Sequence, residues 1–301
     1  MAIVLGLVGA VCWGLADFAA RFAARRVGAY RTLLFMQIIG FCLLTAYSQW
    51  AGGITRGVVP GWRTWTLAAV AGVINALASL ALYYSFQIGV MSIVAPISSS
   101  YPALTLVLAL LSGERFQLLR GIGLGVTLLG VILAATSFAA NSGGASGSDA
   151  QAGAEAAHAA QAHVARGVGW AVAAAVGFGF MFWFLGFHVV PLTGSMFSVW
   201  MIRLTAFSTL ALAAAPARQS VSLPRGSVWW LIAAVAVTDT VAFIANNAGL
   251  KTGQVSVVSV LASLYSAVTV LLAWIVLRER LERTQWLGIA LIFGGIALVS
   301  L

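Results

Sequence analysis

Charged residues are scarce in this chain. Of its 301 residues only 8% are Asp, Glu, Lys or Arg, and 61% are hydrophobic, whereas a soluble domain is about 25% charged and about 45–50% apolar. Water cannot be the main solvent of such a sequence. Enzyme motifs are missing too: there is no HExxH and no CxxC, and His188 is the one histidine inside an apolar run, close to its end. A metal-assisted or nucleophile–base mechanism therefore lacks its residues, and the chain reads as a non-enzyme that implies no cofactor and no metal. The two cysteines, Cys12 and Cys42, lie inside apolar runs without metal-ligand spacing and reveal no redox compartment. Nor is there the alternation of apolar and polar residues that the lumen of a membrane barrel imposes, or a polar segment large enough for a soluble receptor domain.

What is present is a series of long apolar runs. A bilayer core about 30 Å thick needs about 20 apolar residues per helix, and the sequence supplies runs of that length at 2–22, 31–50, 64–87, 90–112, 117–138, 167–189, 193–215, 226–250, 253–277 and 284–301. The expectation is an all-α integral membrane protein of ten spans, multi-pass in a cell membrane, the inner one if the source is bacterial. The first run has no basic segment before it and leads into nine others, so it counts as a span rather than a cleaved signal. Trp50, Trp62, Trp65, Trp170, Trp229, Trp230 and Trp286 fall near span ends, where an amphipathic ring favours the headgroup region. The net charge of +9 sits on arginines at span ends, which suits anionic headgroups and not nucleic acid. Residues 139–165 are Gly/Ser-rich and then Ala-rich; they read as a flexible linker with room for a helical stretch, its His158 and His163 solvated.

That linker separates two halves that repeat. At an offset of 164, Asn75 matches Asp239, Gly89 matches Gly253, Ser92 matches Ser256, Ser99 matches Ser263, Tyr101 matches Tyr265 and Thr105 matches Thr269. At 165, Glu114-Arg115 matches Glu279-Arg280, Gly123 matches Gly288, Gly130 matches Gly295 and Gly14 matches Gly179. The expected units are 1–138 and 166–301, each with five spans. Five is odd, so the second half must enter the membrane in the opposite sense, an arrangement that lets two similar halves rock about a central site.

The stretch SIVAPISSSYPALTLVLALLSGERFQLLRGIGLGVTLLGVILAA and its partner SVVSVLASLYSAVTVLLAWIVLRERLERTQWLGIALIFGGIALVS, together with Trp13-Gly14 in the opening span, resemble the EamA-type transporters of the drug/metabolite transporter superfamily. The resemblance covers essentially the whole chain and its specificity lies in the duplication. It implies ten helices, both termini on one face, and export of amino acids or other metabolites, with aromatic or large neutral amino acids favoured and cationic or amphipathic drugs the alternative. Were the termini cytoplasmic, as the resemblance implies, Arg56, Arg63, Arg115, Arg120 and Lys251 would lie inside. Arg21, Arg25, Arg26, Arg31, Arg166, Arg218, Arg225, Arg278, Arg280 and Arg283 would then lie outside. The positive-inside rule favours the reverse, and sidedness is left open.

Polar side chains within lipid are costly and turn toward a bundle interior, so they outline a pathway. Asn75, Ser79 and Tyr83 share one face of the third span; Asp239, Phe243 and Asn246 share one face of the eighth, beside Asn247. Ser92, Pro96 and Ser99 align on the fourth span, and Ser256, Ser259 and Ser263 on the ninth. Equivalent stripes from both halves predict one shared cavity; the competing reading is helix–helix hydrogen bonding, worth only about 0.6 kcal/mol per bond. Asp239 stands out, because a mid-membrane carboxylate costs roughly 2.5–3.5 kcal/mol on the insertion scale. It is expected to contact a substrate amine or to titrate; the alternative is an ion pair with Arg203, the one arginine inside a span. Asp17, a turn after Trp13, is a second candidate charge site. Trp13, Phe178, Tyr101 and Tyr265 are expected to add aromatic walls, although Tyr101 faces away from Ser92 unless Pro96 or Pro102 redirects the helix.

The expected partners are the lipid bilayer, a small-molecule substrate such as an amino acid or similar metabolite, and, if transport is coupled, a proton. A polyanionic substrate is disfavoured because Arg203 alone could balance it. Gly123/Gly130 and Gly288/Gly295 read as packing faces, and the glycines at 121, 123 and 125 are not a phosphate loop, since they lie inside an apolar span with no preceding strand.

Overall fold

The structure is a computed structural model that describes residues 1–50, 53, 58–89, 91–115, 118–140, 152–252, 254–277 and 283–300. Among the described residues it is entirely helical. The reason is the solvent: in lipid each backbone N–H and C=O must be paired within the chain, and a helix does this locally. The first half contains α1 (Ala2–Val27), α2 (Ala29–Trp50), α3 (Trp62–Ile88), α4 (Met91–Ser98), α5 (Tyr101–Leu111) and α6 (Leu118–Ala140). The second contains α7 (Ala152–Phe184), α8 (Val190–Ala214), α9 (Val228–Leu250), α10 (Val255–Ala262), α11 (Tyr265–Leu277) and α12 (Arg283–Ser300), with a π-helical turn at Leu185–Val189 between α7 and α8.

Among the described residues, five helical runs are long and apolar enough to cross a membrane: Ala2–Val27, Ala29–Trp50, Trp62–Ile88, Gly167–Ala214 and Val228–Leu250. Tyr101–Leu111, Gly121–Gly130 and Val255–Thr269 are shorter apolar helices. The run Gly167–Ala214 holds 48 residues, about 70 Å of helix at about 1.5 Å per residue, which is length enough for two crossings. Its interruption is at Gly194, where φ is +70°, a conformation open to glycine and strained for other residues. The gap expected at 190–192 is instead helical, because Pro191 occupies a first-turn position where its missing N–H leaves no bond unmade. Of the expected linker, 141–151 lie outside the described residues, and 152–165 form the start of α7.

The fourth and ninth spans, expected as single helices, are each broken in two. The breaks fall at Ser99–Ser100 and at Ser263–Leu264. Pro102, in the first turn of α5, accounts for only the first, since the second contains no proline. What the breaks share is serine chemistry. Ser98 and Ser100 donate to the carbonyls of Ala95 (2.9 Å) and Ile97 (2.7 Å), and Ser263 donates to that of Val260 (2.7 Å). Hydroxyls thus take up carbonyls near the break.

Packing respects the exchange of one half for the other. α1 lies against α9, α10 and α11, as α7 lies against α3, α4 and α5; α2 packs on α8, and α6 on α12. Two matched glycines allow close approaches in equivalent places. A Cβ on Gly14 would stand 2.5 Å from Val268 Cβ and 3.0 Å from the Tyr265 carbonyl; one on Gly179 would stand 2.8 Å from Leu104 Cβ and 2.8 Å from the Tyr101 carbonyl. The matched threonines close both contacts, Thr269 donating to the Gly14 carbonyl (3.4 Å) and Thr105 to that of Gly179 (2.9 Å). On the far side, Gly295 of α12 sits against Thr127 and the Gly123 carbonyl of α6, the packing role expected of that pair.

One further link joins the halves. Glu114, just past α5, accepts hydrogen bonds from the Ser256 backbone N–H (3.2 Å) and hydroxyl (3.3 Å) at the start of α10. A carboxylate is favourably placed at a helix N-terminus. Burial pushes the Glu114 carboxyl above its ordinary pKa, and the two Ser256 bonds oppose that rise. Its sequence counterpart, Glu279, lies outside the described residues.

Candidate functional site

Between the halves lies a cavity that, with the open space at its mouth, amounts to about 460 Å³ outside the atoms. Its side chains are drawn in close, so the enclosed space is smaller than a typical small-molecule site. α1 supplies Trp13 and Asp17, and α9 supplies Asp239 and Phe243; α7 adds Phe178 and Phe182, and α3 adds Ser79, Leu82 and Tyr83. The broken spans bring in Tyr101 and Tyr265, and α2 brings in Met36.

The rings form a connected cage. Trp13 meets Phe243 edge-on at 5.2 Å between centroids and Phe182 at 5.5 Å; Phe182 meets Tyr101 at 5.0 Å. These are the separations at which aromatic pairs attract. The two matched tyrosines each reach into the opposite half: Tyr101 donates to the Ser259 carbonyl (3.0 Å), and the Tyr265 and Ser98 hydroxyls share a hydrogen bond of 3.0 Å. Both are anchored beside a break, at the first residue of α5 or α11, so the breaks aim the rings inward. Tyr83 donates only to the Met36 sulfur, at 3.0 Å, a weak acceptor.

Charge is concentrated at one end. Asp239 accepts from Trp13 Nε1 at 2.9 Å through one oxygen and from Arg203 Nη2 at 2.5 Å through the other. Arg203 is fully buried, donates from Nη1 to Gln37 Oε1 at 2.8 Å, and holds its guanidinium carbon 5.1 Å from the Phe243 ring centre. Gly40 leaves the space for it, since a Cβ there would stand 3.0 Å from Arg203 Nε. The ion pair weighed as the alternative for Asp239 is thus present, and both oxygens of that carboxylate are engaged. Asp17 differs: it is 7% exposed and lines the cavity, and among the described residues it makes no hydrogen bond or ion pair.

Of the expected site residues, Trp13, Asp17, Ser79, Tyr83, Tyr101, Phe178, Asp239 and Phe243 line the cavity. Five do not. Asn75 lies behind Ser79, its Oδ1 3.5 Å from the Ser79 hydroxyl. Arg203 stands behind Asp239. Asn246 is fully buried with neither amide atom paired. Ser99 and Ser263 sit buried in the helix breaks, where Ser263 serves the backbone. Of the lining, Met36, Leu82 and Phe182 were not foreseen, whereas Tyr265 lines it as the aromatic pattern suggested. Phe182 carried a signal, since it lies one helical turn beyond Phe178. Met36 and Leu82 carried none, because a lone apolar residue in an apolar span has no distinguishing mark.

Several buried polar atoms outside the lining have no partner among the described residues: Asn75 Nδ2, Gln37 Nε2, Arg203 Nε, Thr240 Oγ1, both amide atoms of Asn246, Asn247 Oδ1 and Ser259 Oγ. Each such atom costs about 1–3 kcal/mol when dry and unpaired.

The sequence pattern of the EamA-like transporter family matches residues 1–136 and 165–301. The chain belongs to the EamA-like transporter family. It is accordingly a multi-pass membrane protein and a transporter of small molecules. An uncharacterized protein of Methanocaldococcus jannaschii is 31% identical over 132 residues, which make up 43% of this EamA-like chain and 92% of that relative. A protein of known crystal structure matches 99% of this chain and 96% of its own with a TM-score of 0.75 at 19% identity, a likeness of fold.

Proposed function

We propose that this EamA-like protein is a secondary transporter that exports amphipathic metabolites by alternating access at the aromatic cavity. In this reading its ten spans form two five-helix repeats, 1–138 and 166–301, threaded through the membrane in opposite senses and joined by 139–165. The observation that carries it is the matched construction of the cavity's two sides: Gly14 packs on the Tyr265 turn as Gly179 packs on the Tyr101 turn, and each tyrosine anchors in the opposite half. A relative matched over 92% of its length by 43% of this chain supports the half as a unit. The unpaired buried polar atoms support a second conformation in which they are hydrated or re-paired. Large neutral and aromatic amino acids, and cationic amphipathic compounds, share the chemistry the lining suits: an apolar body with an ammonium group.

The test is counterflow in proteoliposomes against a panel of amino acids, amines and other metabolites, with and without a pH gradient, joined to accessibility labelling of single cysteines placed in equivalent loops of the two halves. Saturable exchange, with equivalent loops labelled from opposite sides, is the expected result. Labelling of equivalent loops from the same side would overturn the inverted arrangement, and absence of exchange across the panel would overturn the transport assignment.

A further inference from the structure

The cavity's lining distinguishes between ligands of different charge. Asp239 and Arg203 neutralise each other, and Arg203 is turned toward Gln37 and the face of Phe243, outside the lining. Among the described residues no Lys or Arg side chain lines the cavity. Asp17 is therefore the lining carboxylate without a countercharge, more than nine-tenths buried and facing the cavity. A carboxylate in that setting is stabilised by a proton or by a cation brought to it, and a ligand's cationic head can take the proton's place.

The remaining walls favour the same sign. Aromatic faces carry negative charge density and attract cations, most strongly where water is excluded. The tyrosine hydroxyls of Tyr101 and Tyr265 are committed to Ser259 and Ser98, which leaves Tyr83 and Ser79 as the weakly engaged donors. A ligand carboxylate or phosphate would meet one or two hydroxyls and a repelling Asp17.

The two sides also set an orientation. At the offset that aligns Gly14 with Gly179, Asp17 corresponds to Phe182 and Trp13 to Phe178. The α1 side thus presents an acid and an indole already spent on Asp239, while the α7 side presents only rings.

We infer, on the basis of the transport reading above, that the cavity takes a singly charged organic cation, an amine or quaternary ammonium with an aromatic or apolar body. Its charged head pairs with Asp17, and its body packs against Phe178, Phe182 and Tyr101. Zwitterionic amino acids are disfavoured because their carboxylate finds no cation.

Three compounds with one ring body and different charges test this on the full-length protein: tryptamine, tryptophan and indole-3-acetate. Calorimetric binding in detergent and counterflow in proteoliposomes should rank tryptamine first, with affinity roughly tenfold or more above tryptophan, and indole-3-acetate last. Asp17→Asn should bring tryptamine down to the level of tryptophan while the elution profile and helical content stay those of the parent. Tryptophan or indole-3-acetate binding as well as tryptamine would overturn the inference, as would unchanged tryptamine affinity in a folded Asp17→Asn protein. Should that variant not fold, the ranking in the unaltered protein decides, with Asp17→Glu expected to keep the preference for the amine. Exchange of tryptophan without tryptamine would sink the cation assignment and leave the transporter standing; no binding or exchange at any of the three charges, nor with the wider panel, would sink both.

Discussion

At corresponding positions the two halves offer the cavity different groups on a shared frame. Trp13 and Asp17 of α1 answer to Phe178 and Phe182 of α7, and Asn75 of α3 answers to Asp239 of α9. The frame is alike because glycine, threonine and tyrosine recur where helices must touch: Gly14, Thr269 and Tyr265 on one side, Gly179, Thr105 and Tyr101 on the other. The groups differ, and in the reading proposed above one acidic end and one apolar end hold an amphipathic ligand in one orientation. A repeat can therefore conserve packing and let chemistry diverge, since packing is judged at every contact and polarity only where the cavity is reached.

Substitutions can break or sharpen that contrast, and the largest effect is expected from the buried pair. Arg203→Leu leaves Asp239 without its cation and should cost about 3–5 kcal/mol of stability, read as a large drop in the unfolding midpoint of the detergent-solubilised protein. Adding Asp239→Asn to it should restore much of the loss; no recovery would mean that the pair does not carry the effect. Next come the glycines. Gly14→Val and Gly179→Val should each cost about 1–3 kcal/mol by overpacking, and similar losses are expected because both meet the same kind of turn. Trp13→Phe makes α1 resemble α7 and removes one donor from Asp239, for a loss of about 1–2 kcal/mol together with an altered substrate ranking. Phe178→Ala should change that ranking while folding persists, as judged by elution profile and helical content. The smallest effect belongs to Ser259→Ala, neutral to stabilising by about 1 kcal/mol, because the hydroxyl removed has no hydrogen-bond partner among the described residues.

Much of this was legible in the residues, and the exceptions have physical causes. The helices fell close to the expected spans because lipid requires each crossing to be apolar along nearly its whole length. Trp13, Tyr101 and Phe178 could be named because polar, aromatic and glycine positions recur at the repeat offset. The break at Ser263–Leu264 could not, since no proline marks it and its serines look like those of any small-residue interface. Asn246 and Arg203 were expected on the cavity and stand off it. Helical spacing gives the face of a helix, and a face about 100° wide serves both a cavity and the neighbouring helix.

Composition and spacing alone determined that the chain is helical, lipid-solvated and duplicated, because the bilayer acts on every residue of a span and leaves its mark locally. Only the tertiary structure decided which of two buried carboxylates is neutralised. Asp239 meets Arg203 from 36 positions away and Trp13 from 226, while Asp17 makes no such contact among the described residues. Charge pairing depends on distance through space, which the order of residues along the chain does not contain.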